Sequence, residues 1–294
     1  IHLPDLLHGK ILRSPHGHAR IISIDTSRVE AHPSVKAVVT SKDLPSSSTS
    51  SENKNSNILA TDKALYKGHA IAAIASTNPH IAGELLSLID VTYEILPSVT
   101  NVEEAMKPGA IHLHDKYNNN IASHDQMQLG NIDDGYKKAN IVIEREFRTQ
   151  TVHQGYIEPQ TATAAWGTDD KITVWCSSQG HFPIAEETAA VLGVSASKVK
   201  VIPMEIGGGF GGKTSVYLEP VAALLSQKSG HPVKLSMTRA EVLEATGPTS
   251  GTYQKVKMGV TNQGKLTAAS AELMYEAGAF PGSPVGAAAQ CMFT

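Results

Sequence analysis

The apolar and polar positions fall into short runs that switch between strand and helix spacing. Val35–Thr40 is apolar and β-branched, the composition of a strand. Ile71-Ala72-Ala73-Ile74-Ala75 predicts a second strand. Asn78-Pro79 predicts a helix start, a good N-cap followed by proline at the first helical position. Ile81, Leu85 and Ile89 recur there at helical spacing and give one apolar face. Residues 91–96 alternate as a strand closed by Pro97. Residues 45–57 (PSSSTSSENKNSN) are polar and low in complexity, and are expected to be a loop with nothing apolar to anchor it.

The same reading continues downstream. Residues 141–147 and 172–176 predict strands, and residues 183–192 a helix that stops at Gly193. Residues 198–202 predict a strand that feeds a glycine-rich segment, followed by a helix with Val221, Leu224 and Leu225 on its apolar face. Residues 232–237 predict a strand, and Thr238 with Glu241 a capping box opening a short helix. Residues 253–261 and 266–276 predict a β-hairpin turning at Asn262-Gln263-Gly264-Lys265. There is no internal repeat. The pattern gives an α+β chain in two parts, residues 1–115 and 131–294. Residues 116–130, with the polar Tyr117-Asn118-Asn119-Asn120, form the linker.

Composition narrows the function classes. A chain of 294 residues, 41% hydrophobic and 18% charged, can bury two cores of ordinary size. The net charge of -3, from 25 Lys+Arg and 28 Asp+Glu, argues against nucleic acid or an anionic membrane as partner. Cys176 and Cys291 are the only cysteines. They exclude a disulfide scaffold and an iron–sulfur cluster held by this chain alone, which needs about four thiolates. A reducing cytoplasm is the expected compartment. No apolar run reaches the roughly 20 residues of a membrane helix, and Ile1-His2-Leu3-Pro4-Asp5 does not open a signal peptide. With no initiator methionine and no terminating signal after Thr294, the sequence is expected to be a segment of a longer polypeptide. Among 13 histidines, His16/His18 and His112/His114 are the close pairs. Neither comes with acidic or thiolate ligands at zinc spacing. His153 and Glu158 are either a base–acid pair or a structural hydrogen bond.

The strongest chemical signal is Gly207-Gly208-Gly209-Phe210-Gly211-Gly212-Lys213-Thr214. Glycines free the backbone for positive φ and for close approach to a ligand. Successive N–H groups at a helix start bind anions: phosphate, pyrophosphate or a metal oxo group. The segment satisfies G-x-x-x-x-G-K-[ST], the phosphate-binding P-loop, between a strand and a helix. Three features weigh against a P-loop: its late position in the chain, the lack of a downstream apolar strand ending in Asp to hold Mg²⁺, and the bulk of Phe210 inside a phosphate cradle. A P-loop nucleotide hydrolase and a plain structural turn both stay open on these residues alone.

The segment GGGFGGK resembles the molybdenum-side glycine loop of the molybdenum hydroxylases, the family of xanthine dehydrogenase, aldehyde oxidoreductase and aerobic carbon monoxide dehydrogenase. Ser177-Ser178-Gln179 and Tyr156-Ile157-Glu158 resemble further family segments. So do Gly9 to Pro15, His18-Ala19-Arg20-Ile21, Asp43-Leu44-Pro45, residues 91–97 and Glu276-Ala277-Gly278-Ala279-Phe280. In order, they cover nearly the whole chain.

The resemblance implies an N-terminal a/b hammerhead domain followed by the first molybdopterin-binding domain. It implies a molybdenum–molybdopterin cofactor, with a dinucleotide form expected, and hydroxylation of an aldehyde, an N-heterocycle or carbon monoxide with oxygen from water. Gln179 would hydrogen-bond an oxo ligand of molybdenum. Gly208, Gly209, Phe210, Gly211 and Gly212 would approach the cofactor, with N–H groups near Phe210 and Gly211 orienting the oxo group. Thr214 would face the substrate, where purine-oxidising relatives carry a glutamate, and this argues against xanthine. The family's general base would lie beyond Thr294, so neither Glu205 nor Glu219 is assigned that role. The implied partners are the C-terminal half of the molybdenum subunit, an FAD-binding subunit and an iron–sulfur subunit carrying [2Fe-2S] clusters. A catalytically silent scaffold fragment is the remaining alternative; alone, this chain is expected neither to retain molybdopterin nor to turn over substrate.

Overall fold

The computed structural model describes residues 1–45, 51–115 and 119–280. Residues 46–50, Tyr117, Asn118 and Cys291 lie outside the described residues. The contacts divide the chain into two compact units. The first combines Ile1–Pro97 with Gln154–Gly247, and the second combines Ser98–His153 with the residues from Pro248 onward.

The first unit is built on a seven-stranded sheet. In chain order its strands are β1 (Leu7–Arg13), β3 (Val35–Thr40), β5 (Ala70–Ser76), β8 (Thr161–Trp166), β9 (Ile172–Cys176), β10 (Val199–Pro203) and β11 (Val233–Ser236). Across the sheet the order is β10-β9-β8-β11-β1-β5-β3. A smaller sheet of the same unit pairs β2 (Ala19–Asp25) with β4 (Lys63–Ala64) and β6 (Asp90–Ile95). Strand β5 is buried along its whole length. Covered on both faces, it reads as a continuous apolar run rather than an alternation.

The sequential division expected at residues 116–130 is not how the contacts partition the chain. Strand β1 pairs in parallel with β11, from Leu7↔Val233 to Gly9↔Leu235. That ladder joins the first third to the second part in one sheet. Gly9 allows the approach, because a Cβ there would sit 2.5 Å from Leu235 Cδ2. One core runs across the junction and includes Leu7, Ile11, Val174, Ile184, Val221 and Leu235.

Helix His181–Leu192 connects the parallel pair β9 and β10, and Gly193 ends it in the left-handed conformation, φ 66°. Helix Glu219–Ser229 buries Val221, Leu224 and Leu225, and Thr238 with Glu241 forms the expected capping box. The helix expected from Asn78 is shorter than its signal. The α-helical part is Ala82–Leu85, extended by one 3-10 turn, Leu86–Leu88. Asn78 Oδ1 accepts from the His80 N–H at 2.9 Å, so it closes a local turn instead of capping the helix. Leu85 and Ile89 are buried, as their spacing implies.

The polar segment expected to be a loop contains a helix, Ser51–Ile58. Its anchors are the buried Asn55, which donates to Pro45 O at 3.1 Å, and the apolar Ile58-Leu59-Ala60.

The second unit holds the sheet β13-β12-β7, made of β7 (Ile141–Thr149), β12 (Thr252–Val260) and β13 (Leu266–Tyr275). Strands β12 and β13 are the expected hairpin, and Gly264 takes a φ of 78° in its turn. Among the described residues no helix is long and apolar enough to cross a membrane.

Candidate functional site

Strands β9 and β10 run parallel with Cys176 opposite Pro203, so both end at the same edge of the sheet. Gln179 follows β9 by three residues and the glycine loop follows β10 by four, so both segments leave the sheet at the carboxyl ends of these two strands. The two segments are laced together. Gln179 Oε1 accepts the N–H of Gly211 at 2.9 Å and of Lys213 at 3.2 Å. The Gln179 N–H donates to Lys213 O at 2.9 Å. Both partners of the side-chain oxygen are donors, and that fixes which end of the amide is the oxygen. The Nε2 group therefore points away from the loop and has no hydrogen-bond partner among the described residues.

Beneath the loop lies an ion pair. Lys213 Nζ donates to Glu158 Oε2 at 2.6 Å, and the lysine side chain is 1% exposed. The ammonium also lies 5.0 Å above the Tyr156 ring and 3.4 Å from Ser177 Oγ. Glu158 Oε2 accepts the Gly207 N–H at 2.7 Å. Burial alone would raise the Glu158 pKa, but the Lys213 ammonium and the Gly207 N–H outweigh it and hold the carboxyl below its ordinary range. Arg239 holds the segment from the other side by donating to the carbonyl oxygens of Tyr156, at 2.8 Å, and of Ile157.

These contacts explain the glycines. A Cβ at Gly207 would meet Glu158 Cβ at 2.6 Å, at Gly209 it would meet Gln179 Oε1 at 2.5 Å, and at Gly212 the Tyr156 ring at 2.7 Å. Gly208 and Gly211 have φ of 93° and 86°, where other residues are strained. Phe210 itself has φ 51° and is 73% exposed. The close approach is thus to the protein's own side chains. Thr214 is exposed, and its Oγ1 donates to Gly211 O at 3.1 Å.

The P-loop reading fails on geometry. The helix after the loop starts at Glu219, six residues past Lys213, so the loop does not sit on a helix N-terminus. Lys213, which would have to reach a phosphate, is turned inward and paired. The Gly211 N–H is likewise spent on Gln179, so it is not the open donor that the sequence suggested.

The donors that stay open are the N–H groups of Gly208, Gly209 and Phe210, together with Gln179 Nε2. None has a partner among the described residues, and Gly209 is buried. Uncharged donors on two segments that leave the same sheet edge fit an electron-rich oxygen group such as a metal oxo ligand. Glu219 is buried at the first turn of its helix and accepts the N–H groups of Tyr217 and Leu218 at 3.0 and 3.1 Å. Burial pushes its pKa up. It closes the end of the loop segment and is engaged with backbone.

His18 contacts Pro97 O at 2.6 Å through Nδ1, and the His16 ring packs edge-on against Tyr93. Among the described residues no group of three His, Cys, Asp or Glu could hold a metal ion. Sequence reasoning named Gln179 and the glycines but missed the Glu158–Lys213 pair. The available signal was a lysine directly after a glycine run, with a carboxylate in the aromatic segment Tyr156-Ile157-Glu158.

The family model described as "Molybdopterin cofactor-binding domain" matches residues 113–294. The model "Aldehyde oxidase and xanthine dehydrogenase, a/b hammerhead domain" matches residues 1–97. The chain is 31% identical over 278 residues to a probable xanthine dehydrogenase subunit of Bacillus subtilis, covering 94% of this chain and 37% of that protein. It is 30% identical over 278 residues to the nicotinate dehydrogenase large molybdopterin subunit of Eubacterium barkeri, covering 94% and 65%. Among solved structures, the reconstituted CO dehydrogenase from Oligotropha carboxidovorans superposes with a TM-score of 0.81 at 28% identity, covering 93% of this chain and 36% of that one. The chain therefore spans about a third to two thirds of the length of these relatives.

Proposed function

The chain belongs to the molybdenum hydroxylase family of aldehyde oxidases and xanthine dehydrogenases, and on that premise we propose that its glycine loop and Gln179 form one wall of a molybdopterin site. The observation that carries the reading is the locked amide of Gln179. Its oxygen is held by Gly211 and Lys213, so its nitrogen is left as a donor without a partner among the described residues. When bound, the molybdenum cofactor would supply a two-electron oxidation and an electron-rich oxo group. Gln179 and the N–H groups of Gly209 and Phe210 would orient that oxo group without adding charge. Gly208 and Gly212 would shape the approach.

The reaction proposed for the whole protein is hydroxylation of an aldehyde, an N-heterocycle or carbon monoxide with oxygen from water. Thr214 supports a substrate that needs no carboxylate partner, because its hydroxyl is uncharged and engaged with the loop. The general base is assigned to residues outside this chain. The remainder of the molybdenum subunit, an FAD-binding subunit and an iron–sulfur subunit are the proposed partners for electron exit. We assign the hammerhead module to residues 1–115 and the molybdopterin-binding module to 131–294, with 116–130 between them. The family matches, over residues 1–97 and 113–294, support the order of the two modules, and the second match includes residues 116–130.

Molybdenum and pterin analysis of the full-length protein, paired with an ATP-binding assay, tests the reading. Stoichiometric molybdenum without nucleotide binding is expected. Nucleotide binding in a metal-free protein would contradict it.

A further inference from the structure

We propose that Glu158 and Lys213 are positioning residues: their ion pair fixes the Gln179 amide and the donor face of the glycine loop. The proposal rests on the reading of Gln179 given above. Besides the ion pair itself, four directed bonds converge on its two residues. Glu158 Oε2 takes both the Lys213 ammonium at 2.6 Å and the Gly207 N–H at 2.7 Å. The Glu158 N–H returns to Gly207 O at 3.2 Å. Lys213 in turn exchanges backbone bonds with Gln179, donating to Oε1 and accepting from its N–H. One carboxylate therefore holds the first glycine of the loop and, through a single lysine, the residue that locks Gln179.

An ordinary stabilising role does not account for this arrangement. Burying an ammonium costs more than burying an apolar side chain of the same volume, so a methionine–leucine contact would serve the core at least as well. Apolar contacts, however, carry no direction. Only hydrogen bonds and a paired charge can set both ends of a loop of glycines that has almost no side chains of its own to pack. Lys213 is well suited because its Nζ reaches below the loop while its N–H and carbonyl stay in the loop's rim. Tyr156 completes the support: its ring faces the ammonium and its hydroxyl bonds Gln160 Nε2 at 2.5 Å.

The test uses Lys213→Met, which keeps an unbranched side chain one atom shorter and removes its charge, and Glu158→Gln, which keeps the shape of the acceptor. Both are made in the full-length protein. Amide hydrogen exchange is followed at Gly207–Lys213 and, as reference, along β9 and β10. Each variant is expected to raise exchange at Gly211 and Lys213 by about tenfold or more, with the two strands unchanged. Turnover of the cofactor-loaded variants should fall in kcat with KM little altered, because the donors are misplaced while substrate contacts are kept.

Loop amides as protected as in the wild type would overturn the proposal. So would an equal loss of protection through β9 and β10, which would make the pair a general stabiliser. A wild-type protein that holds no molybdenum would overturn the assignment of the site, yet would leave the exchange pattern to decide the role of the pair separately.

Discussion

Gln179 and Lys213 bond each other in both directions: the Gln179 N–H donates to Lys213 O at 2.9 Å, and the Lys213 N–H donates to Gln179 Oε1 at 3.2 Å. The reciprocal pair closes a short bridge between the end of β9 and the end of the glycine loop. It makes the orientation of the Gln179 amide a property of the fold, set before any ligand arrives, and such preorganised donors are what favour developing charge at low cost.

Gln179→Ala and Gln179→Glu separate the structural role from the chemical one. Alanine leaves the N–H groups of Gly211 and Lys213 without their acceptor, and the expected loss of stability is about 1–2 kcal/mol. Glutamate keeps an accepting oxygen but replaces the outward donor with a negative charge. Thermal unfolding should therefore move less for glutamate than for alanine, while turnover falls by about 10–100-fold for both. A fully active Gln179→Glu enzyme would refute the donor role.

Gly209→Ala puts a Cβ 2.5 Å from Gln179 Oε1, so the amide must swing out of place. The expected cost is about 1–2 kcal/mol from the two bonds it loses, together with a fall in turnover. Gly17→Ala is the control: no atom lies within 4 Å of its added Cβ, and its stability should stay within about 0.5 kcal/mol of wild type. Equal melting temperatures for the two variants would contradict this account of the loop.

Much of the fold can be read from the chain, for identifiable reasons. Strands β3 and β9 and the β12–β13 hairpin are apolar or alternating runs with clear turn residues, and the turn at Gly264 follows from its glycine. Strands β1 and β8 carry weaker marks. Leu7-His8-Gly9-Lys10 breaks the apolar run, and Thr161–Trp166 is mostly alanine and threonine, small because neighbouring strands and the helix Glu219–Ser229 crowd it. The parallel ladder between β1 and β11 joins residues more than two hundred positions apart, and no local pattern encodes it. The site divides in the same way. The glycine run announces itself, whereas Glu158 and Lys213 are 55 positions apart and meet only through the fold.

His69 makes the first unit sensitive to acid. Burial holds its imidazole at about 4, against an ordinary 6.5. It contacts Ser56 O at 2.7 Å through Nε2, accepts the Leu65 N–H at 3.2 Å and stacks on Tyr66. Above 6.5 the ring is neutral in folded and unfolded chains alike. Between 6.5 and about 4 the unfolded chain takes up a proton that the folded one refuses, so stability falls as pH drops, by up to about 3 kcal/mol. Thermal unfolding at about pH 7 and about pH 4.5 should show a steeper loss for wild type than for His69→Gln. Parallel losses would rule His69 out as the cause.

Cys176 should be inert in the native protein. Burial, aided by the Glu219 carboxylate, pushes its thiol up to about 12, and 1% of the residue is exposed. Since the thiolate is the reactive form, iodoacetamide at about pH 8 should label Cys176 only after urea unfolding, as read by peptide mass spectrometry. Rapid labelling of the folded protein would show that the strand end near Gln179 opens.

The most direct test of the central claim is an experimental structure of the full-length protein with its native cofactor. The expected result places a molybdenum oxo oxygen within about 2.7–3.2 Å of Gln179 Nε2 and beside the Phe210 N–H, with Lys213 still paired to Glu158. A molybdenum centre bound elsewhere, with Gln179 Nε2 facing solvent, would contradict the account.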